Sequence, residues 1–555
     1  MIKLSNFNKN YIFFILALLL ALPGLRYLLK PGFFPMHDDT QVARVSVMAK
    51  ALSQGQFPVR IVDGLGYGFG YPIFNFYNPL PYYFGGLCNL FGFSALNATK
   101  LMIAVGFLLA GAGIFLLVNN YLGKLSALTA SLIYIYSPYH AIQIFVRGSI
   151  AELWAYGLLP FVLYFFVKRK TILGGIFLAL VILSHNITAI LTLVLIALTT
   201  LILCFLRSKK ERIRVLFNSS KIIFLGLVLS AFFWLPAFLE KKLTQVDSMV
   251  HDKFNPLLHF VYPGQFWTSA WGYGGSAPGL NDGMSFQLGK IQIIVALLSI
   301  PLYFLTKKYF SKILNIVFII VWILFISSLL AMLPVSAILW AGFYRQLSYI
   351  QFPWRFLTFA DLGLAFLSGF SVYMLGKIKP GIIKKISFII ILVAILIVNL
   401  KYFVPQYTFP AQDSDFLKKD KISWVTSAIS DEYLPIGFPK PKFIEEISDG
   451  KFSLTQKGEI IENRITSSVY LLTVNTDKEN ILKINTAYFP GWKAWLDGKN
   501  IKITVQNYLM AIQVPKGNHR IKIAFTNTNI RLISDIISLT ALMLIILWKL
   551  KLRFT

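Results

Sequence analysis

Apolar residues run along this chain in blocks separated by short polar or basic turns. The blocks fall at 11–29, 98–118, 124–140, 150–167, 171–185, 187–206, 221–239, 288–306, 313–333, 356–376, 383–404 and 532–550. A helix of about 20 apolar residues crosses the hydrocarbon core of a bilayer, so the pattern predicts about twelve transmembrane helices. The stretch 80–95 is shorter and is interrupted by Gly85, Gly86 and Asn89. It predicts a helix lying in the interface rather than a span. Between 405 and 531 hydropathy drops and alternates with period two at 469–474, 501–505 and 520–525. Asp497-Gly498 and Lys516-Gly517-Asn518 stand between such runs as turns, which predicts a small antiparallel β-sandwich. The expected division is a transmembrane domain over 1–404, whose loop 30–97 carries surface helices, then a β-rich domain over 405–531. A terminal transmembrane helix and basic tail, 532–555, complete it.

Composition supports the membrane reading. Of 555 residues, 56% are hydrophobic and 14% charged, against about 25% charged in soluble chains, and the mean hydropathy is +0.65. A cytosolic enzyme, a disordered regulator and a disulfide-stapled secreted domain are excluded. The net charge of +29 would suggest nucleic acid in a soluble protein. Here much of it sits in Lys168-Arg169-Lys170, 207–214, Lys307-Lys308, 377–385 and 549–553, short segments of the kind that remain cytoplasmic. With twelve spans and 80–95 outside the membrane, all of these share one side with the N-terminus. Both termini are therefore expected in the cytoplasm. Loops 30–97, 141–149, 240–287 and 334–355, with the β-domain, are expected outside. The inner loops are short and no GxxxxGK[ST] motif occurs, which argues against ATP-driven transport. No small-residue cleavage site follows the first apolar run, so it reads as a retained anchor. Cys88 and Cys204 lack metal-ligand spacing and are expected near opposite faces, unpaired.

Candidate chemistry gathers in the loops assigned to the outer face. The first opens with Pro35-Met36-His37-Asp38-Asp39-Thr40, then an amphipathic stretch with Val42, Val45, Met48, Ala49 and Leu52 on one face and Arg44 and Lys50 off it. Asp38 or Asp39 could cap that helix, yet one cap needs one carboxylate, and two beside a histidine exceed it. Glu152 follows Arg147 by five residues at the start of a span, where an acid suits the helix dipole but costs free energy in the membrane unless it faces protein or water. In Gln351-Phe352-Pro353-Trp354-Arg355 the aromatics read as interface anchors, and Arg355 suits a lipid phosphate through paired N–H donors. Glu240, Asp247, His251, Asp252, His259 and Asp282 share one loop without fixed metal spacing. His185, in Ser184-His185-Asn186, reads as a packing contact. The aromatic, proline-broken stretch 71–83 is either an interfacial belt or the wall of a lipid or sugar groove. Trp492 and Trp495 read as sandwich core, with sugar stacking as the alternative.

Taken in order, His37-Asp38, the 71–83 stretch, Arg147-Gly148 with Glu152, Ser184-His185-Asn186 and Gln351-Phe-Pro-Trp-Arg355 resemble the bacterial YfhO-like membrane proteins. A related group is labelled 6-pyruvoyl-tetrahydropterin synthase-related, and the acidic motif that opens the first outer loop, followed by surface helices and the proline-rich aromatic stretch, resembles the GT-C superfamily of membrane glycosyltransferases. The Phe489-Pro-Gly-Trp-Lys-Ala-Trp495 stretch resembles the YfhO-type C-terminal region. A soluble pterin synthase would need a zinc-binding histidine cluster, which six scattered histidines do not supply. The resemblance implies transfer of a sugar from a polyprenyl-phosphate carrier to an envelope glycan, lipid or protein. It implies Asp38 as the catalytic carboxylate, with Asp39 and Glu152 as further catalytic positions. His37, Arg147, Arg355, His185, Tyr77 and Gln351 are the expected substrate contacts. Partners are then the carrier-linked sugar, the acceptor and membrane lipid, without nucleic acid. No cofactor is specified, and a divalent cation is left open. A lipid-linked sugar flippase, or an envelope protein that only binds glycan, are the other classes the sequence admits.

Overall fold

Each of the twelve apolar blocks contains a helix, but the helices differ in reach. The computed structural model describes residues 9–248, 255–378, 381–447 and 450–554. His251 and Asp252 lie outside them. Among the described residues eight helices are long and apolar enough to span: Ala95–Leu122, Ile150–Val167, Asn186–Leu206, Lys290–Tyr309, Lys312–Met332, Pro353–Ile378, Ile382–Tyr402 and Asn529–Leu550. The 221–239 block is broken at Ser230, and the pair Lys209–Leu229 and Ala231–Leu243 makes a ninth if taken as one span. Tyr11–Leu25, Lys124–Ile135 and Thr171–Ser184 are shorter. Local chemistry sets two of these short ends. Ser137 caps a new helix, Pro138–Phe145, by accepting from the Tyr139 N–H, with Pro138 at its first position. His185 ends one helix and caps the next through its ring nitrogen and the Thr188 N–H.

The chain divides into two compact units. The first comprises Met1–Asp38, Lys100–Leu227 and Val250–Ala411; the second comprises Asp39–Thr99, Val228–Met249 and Gln412–Thr555. In the first, the span Pro353–Ile378 is the most enclosed, packed by Lys124–Ile135 and Lys312–Met332. Because lipid tails are as apolar as leucine, helices in a bilayer are held by close packing rather than by the hydrophobic effect. A Cβ on Gly157 would lie 2.8 Å from the Gly106 carbonyl oxygen and 3.0 Å from the Ala110 nitrogen. Ile150–Val167 and Ala95–Leu122 thus approach as closely as backbones allow. Asn186–Leu206 and Ile382–Tyr402 have only 28% and 17% of their most apolar window buried, as lipid-facing helices do.

The second unit holds the sandwich. Its strands are β1 (Phe452–Leu454), β2 (Gly458–Ile465), β3 (Val469–Thr476), β4 (Asn480–Ala487), β5 (Trp492–Leu496), β6 (Lys499–Ile501), β7 (Thr504–Gln506), β8 (Leu509–Val514) and β9 (Gly517–Phe525). They form two antiparallel sheets, ordered β1-β4-β8-β7 and β2-β3-β9-β5-β6. The single strand expected over 501–505 is in fact two, one in each sheet. Alternation persists across Lys502-Ile503 where the chain changes sheet, so the pattern hides the break. Asp497 and Gly498, at φ 48° and 82°, make the hairpin between β5 and β6. Trp492 is in the core, stacked 5.2 Å from Tyr470. Trp495 is three residues along, on the opposite face of the strand, with the Lys522 ammonium 5.4 Å from its ring.

Around this sandwich the first loop supplies helices. Gln41–Ser53 buries Val42, Val45, Met48 and Ala49 as expected, but its cap position is Thr40, not an aspartate. Arg44, expected off the apolar face, is buried too: it donates to Ser430 at 2.7 Å and lies 4.3 Å from the Tyr77 ring. Leu80–Leu90 has 11 residues, too short to span, and packs its Gly86 against Met48. Cys88 and Cys204 are free thiols.

One buried ion cluster ties the second unit to its terminal helix. Glu240 accepts from Arg531 Nε at 2.9 Å, Asn75 at 2.8 Å and Thr528 at 2.7 Å. Asn75 in turn accepts from Arg60, which pairs with Asp535 at 2.6 Å. Arg531 is 0% exposed. Removing one partner of such a pair strands a buried charge, at a cost of about 3–5 kcal/mol. Glu240→Gln is therefore expected to lower the unfolding temperature of the full chain in detergent markedly, whereas Glu240→Gln combined with Arg531→Met should recover much of the loss.

Candidate functional site

In the first unit, two backbone hydrogen bonds lay the first loop against the turn before Glu152. The His37 and Asp38 N–H groups donate to the Val146 and Arg147 carbonyls, each at 2.9 Å. The close approach needs glycine at 148. Its φ is +65°, and a Cβ there would lie 2.3 Å from Met36 Sδ. Helix Ile150–Val167 begins just beyond and carries Glu152 in its first turn. From another direction, Gln351 turns the chain at φ 67°, and Pro353 starts the turn that presents Trp354 and Arg355.

These elements converge on Glu152, which is 2% exposed. Its carboxylate accepts from Arg147 Nη1 at 2.8 Å and Arg355 Nη1 at 3.2 Å, and from the Tyr139 hydroxyl. Arg355 also donates to Gln351 Oε1 at 2.7 Å and stands 3.3 Å from His185 Nε2. The Trp354 ring packs against both guanidiniums, at 4.6 Å from Arg147 and 5.5 Å from Arg355, and stacks on Phe352. His259 meets the far edge of Phe352, its Nδ1 held by Ser276. Two guanidiniums against one carboxylate leave an excess of one positive charge. Among the described residues Arg355 Nε and Trp354 Nε1 are buried donors with no partner, and such donors carry a desolvation penalty until an acceptor arrives. The arrangement is suited to an anionic oxygen.

His37 and Asp38 form the open side. His37 Nδ1 is 2.9 Å from Asp38 Oδ1, with side chains 61% and 41% exposed. The hydrogen bond to Asp38 raises the His37 pKa, with burial opposing. At Arg147 burial acts to lower the pKa, but Glu152 beside it holds the value above that of an ordinary arginine.

Of the residues singled out in the sequence, His37, Asp38, Arg147, Glu152, His185, Gln351 and Arg355 are thus in one unit. Asp39 and Tyr77 belong to the other. Burial raises the Asp39 carboxyl to about 6, with Lys421 opposing. Tyr77 carries the Arg44 guanidinium against its ring. Trp354, expected as an interface anchor, is instead buried. Tyr139 joins the cluster without a signal in the sequence, because nothing in its own neighbourhood points to a partner 13 residues away. The loop acids do not gather. Glu240 pairs with Arg531, Asp247 with Lys241, and Asp282 accepts from Ser276 and Gln265. Among the described residues no three His, Cys, Asp or Glu side chains are grouped so as to hold a metal ion.

Gly148→Ala should lower stability by about 1–2 kcal/mol through its left-handed backbone alone, with the displaced Met36 adding to it; thermal unfolding beside wild type measures this. The His37 pKa is raised, so its pair with Asp38 contributes fully below the ordinary histidine value and fades as pH rises through the folded value. Exposure keeps that contribution under about 1 kcal/mol. His37→Asn should flatten this part of the stability–pH curve.

Comparison with known families gives two matches. The profile described as 6-pyruvoyl-tetrahydropterin synthase related domain, membrane protein, matches residues 74–406, more than half of the chain. That described as bacterial membrane protein YfhO matches residues 451–537. No curated protein matches the sequence. Among solved structures, the mycobacterial arabinofuranosyltransferase AftD is similar over 73% of this chain and 27% of its own, at 16% identity and TM-score 0.45. An Archaeoglobus fulgidus oligosaccharyltransferase tethered with an acceptor peptide is similar over 81% and 61%, at 11% identity and TM-score 0.46. ArnT from Cupriavidus metallidurans, bound to undecaprenyl phosphate, is similar over 71% and 89%, at 10% identity and TM-score 0.31. The chain thus spans about a quarter of AftD and three-fifths of the oligosaccharyltransferase.

Proposed function

We propose that this chain, which belongs to the membrane-protein family described as 6-pyruvoyl-tetrahydropterin synthase related, is a membrane glycosyltransferase. It moves a sugar from a polyprenyl-phosphate carrier to an acceptor in the cell envelope, on the face opposite its basic turns. The observation that carries the reading is the pair of arginines, Arg355 buried and Arg147 largely so, that share one glutamate, with donors beside them that have no partner among the described residues and the Asp38 carboxylate at the open edge.

In this reading the acceptor hydroxyl gives its proton to Asp38 as its oxygen bonds to the anomeric carbon. The bond from that carbon to the phosphate oxygen breaks, and polyprenyl phosphate leaves with the electron pair. A phosphate is a good leaving group, so no strong general acid is required. What helps is a base for the hydroxyl and fixed positive charge for the phosphate. Arg355, with Arg147 behind it, supplies the charge. Glu152 is a positioning residue: its oxygens are already taken by two guanidiniums and a phenol, so it orients the arginines rather than accepting a proton. His37 holds Asp38, while His185 and Gln351 set the Arg355 side chain. Within the other unit, Tyr77 steadies the loop helices through Arg44.

The test uses purified protein in lipid, a labelled polyprenyl-phosphate hexose and an envelope acceptor fraction. Asp38→Asn should lower transfer by about 10²–10⁴-fold while carrier binding persists. Arg355→Gln should cost about 10²–10³-fold. Asp39→Asn, run in parallel, separates the two carboxylates. Labelled carrier that crosses the bilayer with no transfer in wild type would instead support a lipid-linked sugar flippase.

A further inference from the structure

A second cationic site lies among the basic turns, away from the cluster at Glu152. Helices Asn186–Leu206, Lys209–Leu229 and Lys312–Met332 leave between their ends a cavity of about 230 Å³, lined by Arg207, Ser208, Glu211 and Lys312 above Leu206, Ile313 and Ile316. A neighbouring cavity of about 100 Å³ shares Arg207, Ile313 and Ile316 and continues between mostly apolar walls, Leu203, Val215 and Phe166 among them, with Arg169 and Asn218 also in its lining. The one acid of the rim is already engaged: Glu211 pairs with Arg169 at 2.7 Å and with Arg214 at 3.0 Å. Among the described residues, Arg207 and Lys312 have no carboxylate partner. Their charge is left for something else.

We propose that this pocket holds the phosphate of an anionic phospholipid from the surrounding leaflet, between Arg207 and Lys312, with the Ser208 hydroxyl available as a further donor. The shape and the walls select the ligand. The cavities are too small for a whole lipid, so the headgroup and the first methylenes enter and the acyl chains run outside. Ile313 and Leu206 line that path and are 47% and 44% exposed, as residues greeting an acyl chain would be. A free phosphate would gain the same two cations but nothing from the aliphatic wall. Basic pockets between helices at a membrane surface bind anionic headgroups in this way, and the guanidinium of Arg207 suits a phosphate.

The experiment uses the full-length protein in nanodiscs of phosphatidylcholine with phosphatidylglycerol, followed by native mass spectrometry of the lipid that stays bound. Wild type should retain phosphatidylglycerol over phosphatidylcholine. Removing both charges in Arg207→Gln with Lys312→Gln should weaken retention roughly 30-fold, since each surface cation contributes about a fivefold factor. Arg207→Lys with Lys312→Arg, which keeps both charges, should recover most of it and guards against misfolding of the double variant. Lys307→Gln with Lys308→Gln, on the same turn as Lys312 but outside the cavity lining, should leave retention unchanged. Equal retention of both lipids, an equal loss in the 307/308 variant, or displacement by glycerol phosphate at matched concentration would each overturn the proposal. The last would assign the pocket to a soluble phosphate instead.

Discussion

The buried carboxylate of Glu152 is what the candidate site depends on. Two guanidiniums at one end of a membrane helix repel each other and resist leaving water, and neither would settle beside the other without an anion to share. Glu152 supplies it, and each arginine then constrains a different stretch of chain. Arg147 belongs to the turn that receives the first loop, while Arg355 belongs to the turn that opens the most enclosed span. Breaking this hub would cost more than one hydrogen bond, because Glu152 and Arg355 are buried and Arg147 is largely so. It also explains why Trp354 is inside. A flat ring against two cations adds attraction that a leucine would not.

The second unit repeats the solution in other residues. Glu240, Arg531, Arg60 and Asp535 form a cluster that again combines charge with a neutral amide, Asn75. Arg531 is further enclosed by the rings of Phe525 and Phe489. Gly491 is where this crowding appears in the backbone, since a Cβ there would lie 2.8 Å from Arg531 Nη1. Low dielectric makes such clusters costly when incomplete and rigid when complete.

Much of this was legible in the sequence, for reasons that can be named. Long apolar blocks announce helices because length and composition alone decide them, and Asp497-Gly498 announces a hairpin because few residues tolerate its dihedrals. Arg147 and Glu152 could be noted together because they lie five residues apart. Arg355 could be noted only as a lone cation, since its partner is 203 residues away. The sheet change at Lys502-Ile503 was invisible because period two is preserved through it. Arg44 and Trp354 defeated the reading for a common reason. Each is a type that usually meets water or the interface, and each is buried because distant residues surround it with rings or acceptors.

The division of the chain into two interleaved units bears on how the protein is made. The second unit is assembled from Asp39–Thr99, Val228–Met249 and Gln412–Thr555, so its parts emerge from the ribosome far apart in time. Asn75 arrives early, Glu240 later, and Arg531 a further 291 residues after Glu240. During that interval the glutamate has no guanidinium to answer it, and an unpaired carboxylate does not enter an apolar environment willingly. The final helix therefore acts as a latch on biogenesis. Until its first turn is synthesised, the charges awaiting it must stay hydrated, and a nascent chain halted before that point would carry every strand of the sandwich but leave Glu240 without Arg531.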